Sequence, residues 1–447
     1  VKSDAPHILL INPWIHDFAA YDFWAKPFGL LGLAAVLRSG GFRVTYIDCL
    51  DRFHPLAPKT DPAARYGRGP YIKTRIPKPE RLKDIPRHFS RYGVKTDWFR
   101  HDLAGIVPPD LIMVTSLMTY WYPGVFHTIR LLREIFPDTP IFLGGIYATL
   151  CHNHADEKSG ADRVVAGSSI KEIIDLVQDQ TLYSAIFNFD PDDLESRPYP
   201  AFDLQRTINY VPLLTSLGCP LSCTYCASNL LHPKRTVRSP EAVVAEIDYW
   251  HETYGVVDFV FYDDALLVRP EKHIMPILEG ILKKEKQIRF HTPNALHIGA
   301  LSLPLARLMF DAGFETIRIG LETTLFEDRG KIDGKVSEDE FRKGIDHLLK
   351  AGFQRNQIGA YLLVGLPDQQ VHDVAESILT VKNAHITPVP AYYSPIPRTK
   401  MWARAVASSR YDLEADPIYT NNAILPCQKE PFSWEALSRL KSMAATD

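Results

Sequence analysis

Three cysteines, Cys219, Cys223 and Cys226, stand in the run SLGCPLSCTYCASN with the spacing C-x3-C-x2-C. A loop this short can set three thiolates around one corner of an iron–sulfur cube. A [4Fe–4S] cluster has four irons and ordinarily four cysteine ligands. Three ligands leave one iron open, and an open iron is a place for chemistry. The same residues also read as half of a structural zinc site, which wants four ligands, commonly from paired C-x2-C units. Cys49, Cys151 and Cys427 are scattered and make no second pair, while His232, six residues past Cys226, offers a fourth ligand. Three inert thiols complete the alternatives.

The elements around the cysteines form a strand–helix alternation. VPLLTSL (211–217) reads as a strand that delivers the cysteine loop. Ser239-Pro240 is a helix start with proline at the first helical position. VDFVFYDDA (257–265) is a strand ending in two acids, and IRFHTPN (288–294), ETIRIGLET (315–323), QIGAYLLVGLP (357–367) and ITPVPAYYSPIP (386–397) complete the set. Ser337 with Glu340 forms a capping box ahead of a helix with Phe341, Ile345, Leu348 and Leu349 on one face. Six such units predict a partial (β/α)6 TIM-type barrel over residues 206–400, with a small C-terminal appendage over 401–447. A parallel barrel carries its chemistry at the C-terminal ends of its strands, which is where the cysteines fall.

The first 185 residues alternate in the same way. HILLIN (7–12), FRVTYID (42–48), DLIMVTSL (110–117), PIFLGG (140–145) and ADRVVAG (161–167) read as strands, with helices over 28–38, 125–136 and 170–177. Continuous apolar strands between helices imply a parallel sheet covered on both faces. The fold class is therefore α/β, an N-terminal Rossmann-like, flavodoxin-like sheet domain (1–185) followed by the barrel. Residues 186–205, rich in Asp and Pro, read as a linker. Residues 52–102 interrupt the first alternation with thirteen Lys/Arg against five Asp/Glu and no clear periodicity. Such a basic patch is either a solvated excursion or a wall against an anionic ligand.

The cysteine spacing, with Tyr225 just before the last cysteine, resembles the signature of radical S-adenosylmethionine (SAM) enzymes. The resemblance implies a [4Fe–4S] cluster on Cys219, Cys223 and Cys226. Its open iron takes the amino and carboxylate groups of SAM, and an electron from the cluster cleaves SAM to a 5′-deoxyadenosyl radical. It also implies SAM contacts from Asp263 or Asp264, in YDDA where the family often has Gly-Gly-Glu, from Asn294, and from Glu322 in IGLET. Gly365 and Pro367 match the turn over the adenine. There the family commonly continues Gly-Glu and this chain has Asp368-Gln369. In SPIPRT, Arg398 stands where the family has glycine.

The N-terminal 185 residues resemble the cobalamin-binding domain that precedes many radical SAM domains. Thr115-Ser116-Leu117 matches a Ser-x-Leu element near the corrin's nucleotide tail, and Gly144-Gly145 matches a Gly-Gly element beside it. Tyr120, Trp121 and Tyr122 would sit in the same loop region, either covering the lower corrin face or packing as aromatics against the barrel domain. The segment NPWIHDFAAYDF does not fit the family's cobalt-ligating D-x-H-x-x-G, although His16 lies in it.

Together these imply a radical SAM enzyme and, within that class, a cobalamin-dependent methyltransferase acting on an unactivated carbon. A small-molecule or peptide substrate and a reductant such as flavodoxin or ferredoxin are implied as partners. The second reading keeps the radical chemistry but not the methyl transfer, giving a rearrangement, cyclisation or oxidation. A tRNA-modifying methylthiotransferase would need three further N-terminal cluster cysteines, and only Cys49 and Cys151 precede the motif. A non-enzymatic cluster sensor would not need acids at the strand ends. A net charge of −3 gives no pull toward nucleic acid or membrane. No apolar run approaches the length that spans a bilayer, and the opening residues lack a signal-peptide layout. Six cysteines in 447 residues are no disulfide scaffold, so a reducing cytoplasm is the expected setting.

Overall fold

The computed structural model of the chain describes residues 5–167, 169–327, 332–428 and 434–445. The expected appendage therefore falls partly outside the described residues, at 429–433 and 446–447. The chain divides into two compact units, one of Val1–Asn209 with Asp416–Ile418, the other of Tyr210–Ala415 with Tyr419–Asp447. No described helix is long and apolar enough to cross a membrane.

The first unit is built on five parallel strands: β1 (His7–Asn12), β2 (Arg43–Asp48), β3 (Leu111–Val114), β4 (Ile141–Leu143) and β5 (Arg163–Val164). Their spatial order is β5-β4-β3-β1-β2, the flavodoxin-like arrangement with its switch point between β1 and β3. HILLIN is buried along its whole length. Its side chains alternate, Leu9 and Ile11 entering one core and Ile8 and Leu10 the other. That two-faced burial is why the strand reads as a continuous apolar run. Helix α1 (Phe28–Ser39) joins β1 to β2, α2 (Tyr122–Ile135) lies between β3 and β4, and α3 (Ile170–Thr181) follows β5, with Ser169 capping α3 by accepting from the Glu172 amide.

Residues 52–102 are more ordered than their composition predicts. Lys73–Arg75 and Ser90–Tyr92 pair with each other, and Ser90–Tyr92 pairs antiparallel with Ile15–Asp17. Several of the cations are engaged internally. The Arg52 guanidinium meets Asp22 at 2.9 Å and donates to the Gly67 carbonyl at 2.7 Å. Arg81 meets Asp416 at 2.5 Å, and Arg91 lies 5.4 Å over the Trp14 ring. The basic excess is in part structural. Residues 186–205 are likewise no free tether, since the Ala201 amide donates to Leu31 O at 2.9 Å and Arg38 pairs with Asp203 at 2.7 Å.

The second unit holds six parallel strands in chain order: β6 (Val211–Leu213), β7 (Asp258–Phe261), β8 (Arg289–His291), β9 (Phe314–Glu322), β10 (Ile358–Val364) and β11 (Thr387–Tyr392). Parallel neighbours need crossovers, supplied by α4 (Pro240–Tyr254), α5 (Ile274–Leu282), α6 (Leu303–Asp311), α7 (Glu338–Ala351) and α8 (Val371–Asn383). The local signals agree. Ser239 caps α4 and Gly255 ends it in the left-handed conformation, while α7 has the full Ser337–Glu340 capping box. Phe261, Phe290 and Phe314 stack with centroids 5.3–5.8 Å apart beneath the strands' side-chain layer. This is a partial (β/α)6 barrel.

Candidate active site

The cysteine loop leaves the end of β6 and is closed at its base. Ser216–Leu217 pairs antiparallel with Thr236–Val237, Leu217 opposite Thr236, so residues 218–235 form the loop. Gly218 has a φ of +83°, and a Cβ there would lie 2.8 Å from Lys234 O and 3.3 Å from the Arg235 Cα. Only glycine serves where the left-handed region and a close backbone crossing coincide. Below it, the Asp263 carboxylate accepts from Thr215 N (3.1 Å), Thr215 Oγ1 (2.7 Å), Ser216 N (2.5 Å) and Ser216 Oγ (2.7 Å). Asp263 is 3% exposed. Burial raises its pKa against the pull of these donors. Of the two acids ending the strand, Asp263 is thus engaged with the chain itself. Asp264 is exposed, beside Ser228 and His232.

The tip of the loop is tied at Thr224 and Tyr225. Thr224 donates through N and Oγ1 to Ile332 O at 3.0 and 2.8 Å, and accepts at its carbonyl from Met401 N at 2.8 Å. The Tyr225 hydroxyl donates to Glu322 Oε1 at 2.9 Å, and Lys335 Nζ donates to that hydroxyl at 3.1 Å while standing 3.6 Å from the carboxylate. Burial first, then the Glu322 charge, holds the Tyr225 phenol well above its usual pKa. Glu322 itself has a φ of +61° at a register shift between β9 and β10. A non-glycine residue in that region marks strain concentrated at a functional position. Gly320 makes the room, since a Cβ there would stand 3.0 Å from Glu322 Oε1.

The three thiols have different surroundings. Cys219 Sγ accepts from Leu221 N at 3.4 Å. Cys226, exposed, meets Ser228 N at 3.4 Å and Ser228 Oγ at 3.2 Å. Lys335 lies within hydrogen-bonding reach of Cys223. Burial raises the Cys219 and Cys223 thiols, partly countered by the Leu221 amide and by Lys335 respectively. Among the described residues no three or more His, Cys, Asp or Glu converge on one metal-ion position. One zinc ion needs such convergence, whereas a cube takes one thiolate per iron.

Further round the same unit, Asn294 Nδ2 donates to Tyr262 O at 2.8 Å, joining the ends of β8 and β7. Gly365 has a φ of +88° in the turn after β10. Gln369 Oε1 accepts from Gly365 N (2.8 Å) and Leu366 N (3.2 Å), and its Nε2 donates to Leu363 O (2.9 Å). The side chain of Gln369 thus closes the turn that contains Pro367. Asp368 (φ +65°) and Arg398 (φ +69°) both adopt the left-handed backbone.

In the first unit, Thr115-Ser116-Leu117 follows β3 at the switch point. Ser116 is buried, donates to Gly144 O at 2.6 Å and accepts from Ala148 N at 3.2 Å. Gly145 has a φ of +97°, and a Cβ there would fall 2.2 Å from Ser116 O. Gly144 differs: its Cβ would meet only Val165 O, at 3.9 Å. Among the described residues nothing closer crowds that position, so a Cβ there would make only ordinary van der Waals contact. Leu117 and Met118 beside it are each 42% exposed. Tyr120 is 3% exposed. Trp121 Nε1 is tied to Asp17 at 2.7 Å and the Tyr122 hydroxyl to Asp416 at 2.9 Å. His16 packs on His127, ring nitrogens 3.3 Å apart, and burial lowers its pKa to about 3.

Lys335, Arg235 and Gln369 are the site residues the motifs did not single out. Lys335 lies two residues before the capping serine of α7, and Arg235 lies three before Arg238, which pairs with Glu246 at 2.5 Å. No spacing rule marks either; only the closed loop brings them to the cysteines.

The family model for the radical SAM superfamily matches residues 213–380. An uncharacterized methyltransferase of Pyrococcus horikoshii is 22% identical over 71% of this chain and 74% of its own length. The anaerobic magnesium-protoporphyrin IX monomethyl ester cyclase of Rubrivivax gelatinosus is 22% identical over 54% of this chain, which spans about half (52%) of that relative. Among solved structures, the radical SAM methyltransferase TsrM from Kitasatospora setae, with tryptophan and a SAM analogue bound, superposes with a TM-score of 0.65. It is 15% identical, and the match covers 91% of this chain and 78% of that one. A second TsrM structure carries cobalamin and a [4Fe–4S] cluster.

Proposed function

This chain is a radical SAM enzyme, and from that premise we propose that it is a cobalamin-dependent methyltransferase acting on an unactivated carbon of a small-molecule or peptide substrate. Enzymes of the superfamily use SAM and a [4Fe–4S] cluster. When bound, the cluster supplies the electron that cleaves SAM, and cobalamin supplies the methyl group. The observation that carries the reading is the cysteine loop, closed at its base by Asp263 and tied at its tip through Tyr225 to Glu322.

In this reading Cys219, Cys223 and Cys226 hold the cluster. Asp263 acts as a positioning residue, fixing Thr215 and Ser216 so that the loop leaves β6 in one direction. Asp264, exposed at the end of β7, is the acid left for the SAM amino group. Glu322 and Lys335 set a paired charge beside Tyr225 for the amino-acid and ribose end. Asn294 and the Gly365–Pro367 turn border the nucleoside. Orientation of this kind is the protein's main lever on a cofactor whose own chemistry is intrinsic.

For cobalamin, the support is the bare Gly144 beside exposed Leu117 and Met118 at the switch point. A large planar ligand with an apolar edge and a nucleotide tail needs such an open, side-chain-free approach. His16 is not offered as a cobalt ligand, since it is buried against His127 and Arg91. The similarity to a methyltransferase and to TsrM favours methyl transfer. The cyclase relative supports the second reading, radical chemistry without methylation.

The test is anaerobic purification with cobalamin supplied, followed by iron and cobalt analysis and assay of 5′-deoxyadenosine. Iron near four per chain with stoichiometric cobalt supports the methyltransferase; iron without cobalt leaves the radical SAM barrel and removes the methyl donor. Cys223→Ala is expected to lose the cluster and SAM cleavage together. If that variant still formed 5′-deoxyadenosine, the assignment of the cysteines would be wrong.

A further inference from the structure

The Arg235 guanidinium sits under the cysteine loop with two of its donors unmet. Nε and Nη2 are both buried and have no hydrogen-bond partner among the described residues. Buried guanidinium donors without acceptors are costly, and here the neighbourhood is fixed. Leu217 pairs with Thr236, so the next residues outward, Gly218 and Arg235, face each other, and Cys219 follows directly. Asp263 and Cys219 are the two groups whose charge acts most on Arg235 after burial, and Asp263 accepts four hydrogen bonds from Thr215 and Ser216. His273, on the far side, is held neutral by burial and then by Arg235, its pKa lowered to about 4.

Lys335 takes the equivalent place at the second cysteine. Its ammonium is anchored by the Tyr225 hydroxyl at 3.1 Å and Glu322 at 3.6 Å, and lies within reach of Cys223. Among the described residues, the hydrogen-bond partners of Cys226 are the neutral groups of Ser228. The three thiols are therefore unequal, two beside cations and one beside an amide and a hydroxyl.

We propose that Arg235 and Lys335 are positioning residues that donate to the sulfurs around Cys219 and Cys223 and raise the reduction potential of the cluster. The inference rests on the cluster assignment made above. A [4Fe–4S] cube in its 2+ state with three thiolates carries a net charge of −1, and one electron from an external low-potential donor takes it to −2. Fixed positive charge and N–H···S bonds stabilise the more negative state, and both are known determinants of cluster potential. Arg235 has the larger effect because its two open donors have no competing acceptor, whereas Lys335 shares its charge with Glu322.

The experiment uses the full chain, reconstituted anaerobically with iron and sulfide, as wild type, Arg235→Met, Arg235→Lys and Lys335→Met. Each is titrated with dithionite in the presence of mediators and followed by the electron paramagnetic resonance of the reduced cluster. Arg235→Met is expected to lower the reduction equilibrium at least tenfold, which for one electron is about 59 mV. Lys335→Met is expected to lower it less, and Arg235→Lys to restore part of the loss. Iron content near the wild-type value with unchanged midpoints overturns the proposal. Should Arg235→Met not take up iron, Arg235→Gln, which keeps a donor without the charge, is read in its place against the same criterion. A wild-type chain that assembles no cluster would instead overturn the underlying assignment, so the two failures are distinct.

Discussion

The cysteine loop of the second unit and the switch point of the first solve opposite problems. At the loop, nearly every polar group has a partner: Asp263 takes four donors, Thr224 meets Ile332 and Met401, and Tyr225 meets Glu322. At the switch point the surface is less crowded, with no described atom closer than 3.9 Å to a Cβ at Gly144 and with Leu117 and Met118 exposed. Ligands joined through three covalent bonds require donors fixed in direction, and a dense hydrogen-bond net supplies that. A large ligand held by area and by close backbone approach requires the reverse, an absence of side chains. The two strand ends therefore differ in what a substitution should do. Changes at the loop should cost stability and ligation together, and changes at the switch point should separate them.

The largest effect is expected at Asp263. In Asp263→Ala the amides and hydroxyls of Thr215 and Ser216 lose their common acceptor while buried. At a cost of 1–3 kcal/mol for each donor left unmet, and with the hydroxyls free to turn, the loss should be about 4 kcal/mol. Urea unfolding midpoints measure it, and iron uptake should fall in parallel. Asp263→Asn, which retains one acceptor oxygen, should lose about half as much. A variant that kept its midpoint but lost iron would move Asp263 from the scaffold to the ligand side.

The paired glycines sharpen the contrast inside the first unit. Gly145→Ala must place a Cβ 2.2 Å from Ser116 O at a φ of +97°, and is expected to destabilise by about 3 kcal/mol. Gly144→Val meets no such obstacle at its Cβ and should stay within about 0.5 kcal/mol of wild type, while cobalt retained after desalting drops severalfold. Retention of cobalt in Gly144→Val at full stoichiometry would remove the switch point as the corrin site.

Much of this was legible in the sequence because the responsible residues are short-range signals. HILLIN announced a two-faced strand, Ser337 and Glu340 a helix start, and C-x3-C-x2-C a loop of thiols. The six barrel strands followed from alternation alone. What was not legible depended on contacts distant in sequence. Tyr120 reads as an available aromatic until the fold buries it, and Asp263 and Asp264 are equivalent letters until one turns toward Thr215 and Ser216. Lys335 and Arg235 are 112 and 16 positions from their cysteines, Cys223 and Cys219, and no local pattern marks them. The basic stretch over 52–102 misled through composition, since a surplus of Lys and Arg does not reveal how many are internal, as Arg52 and Arg91 are.

The left-handed turn positions occupied by Asp368 and Arg398 carry the smallest prediction. The backbone at Asp368 and Arg398 stays left-handed although neither residue is glycine. Asp tolerates that region better than most residues, and Asp368 is further held by Arg404 at 3.1 Å. Arg398 is exposed, so its removal forfeits little packing. Relief of the left-handed conformation is worth 1–2 kcal/mol, and the extra freedom of glycine in the unfolded chain takes back roughly 0.5–1 kcal/mol. Arg398→Gly should therefore stabilise the second unit by about 1 kcal/mol, read as a rise in its urea midpoint, while Asp368→Gly should gain less or nothing. The sign is the informative part. The same change, a side chain exchanged for hydrogen, is the reverse of Gly145→Ala. A gain at Arg398 beside a loss at Gly145 would show that the left-handed positions differ in what surrounds the Cβ, open solvent at one and a backbone oxygen at the other. A loss at Arg398 would instead mean that its guanidinium is held by contacts worth more than the strain.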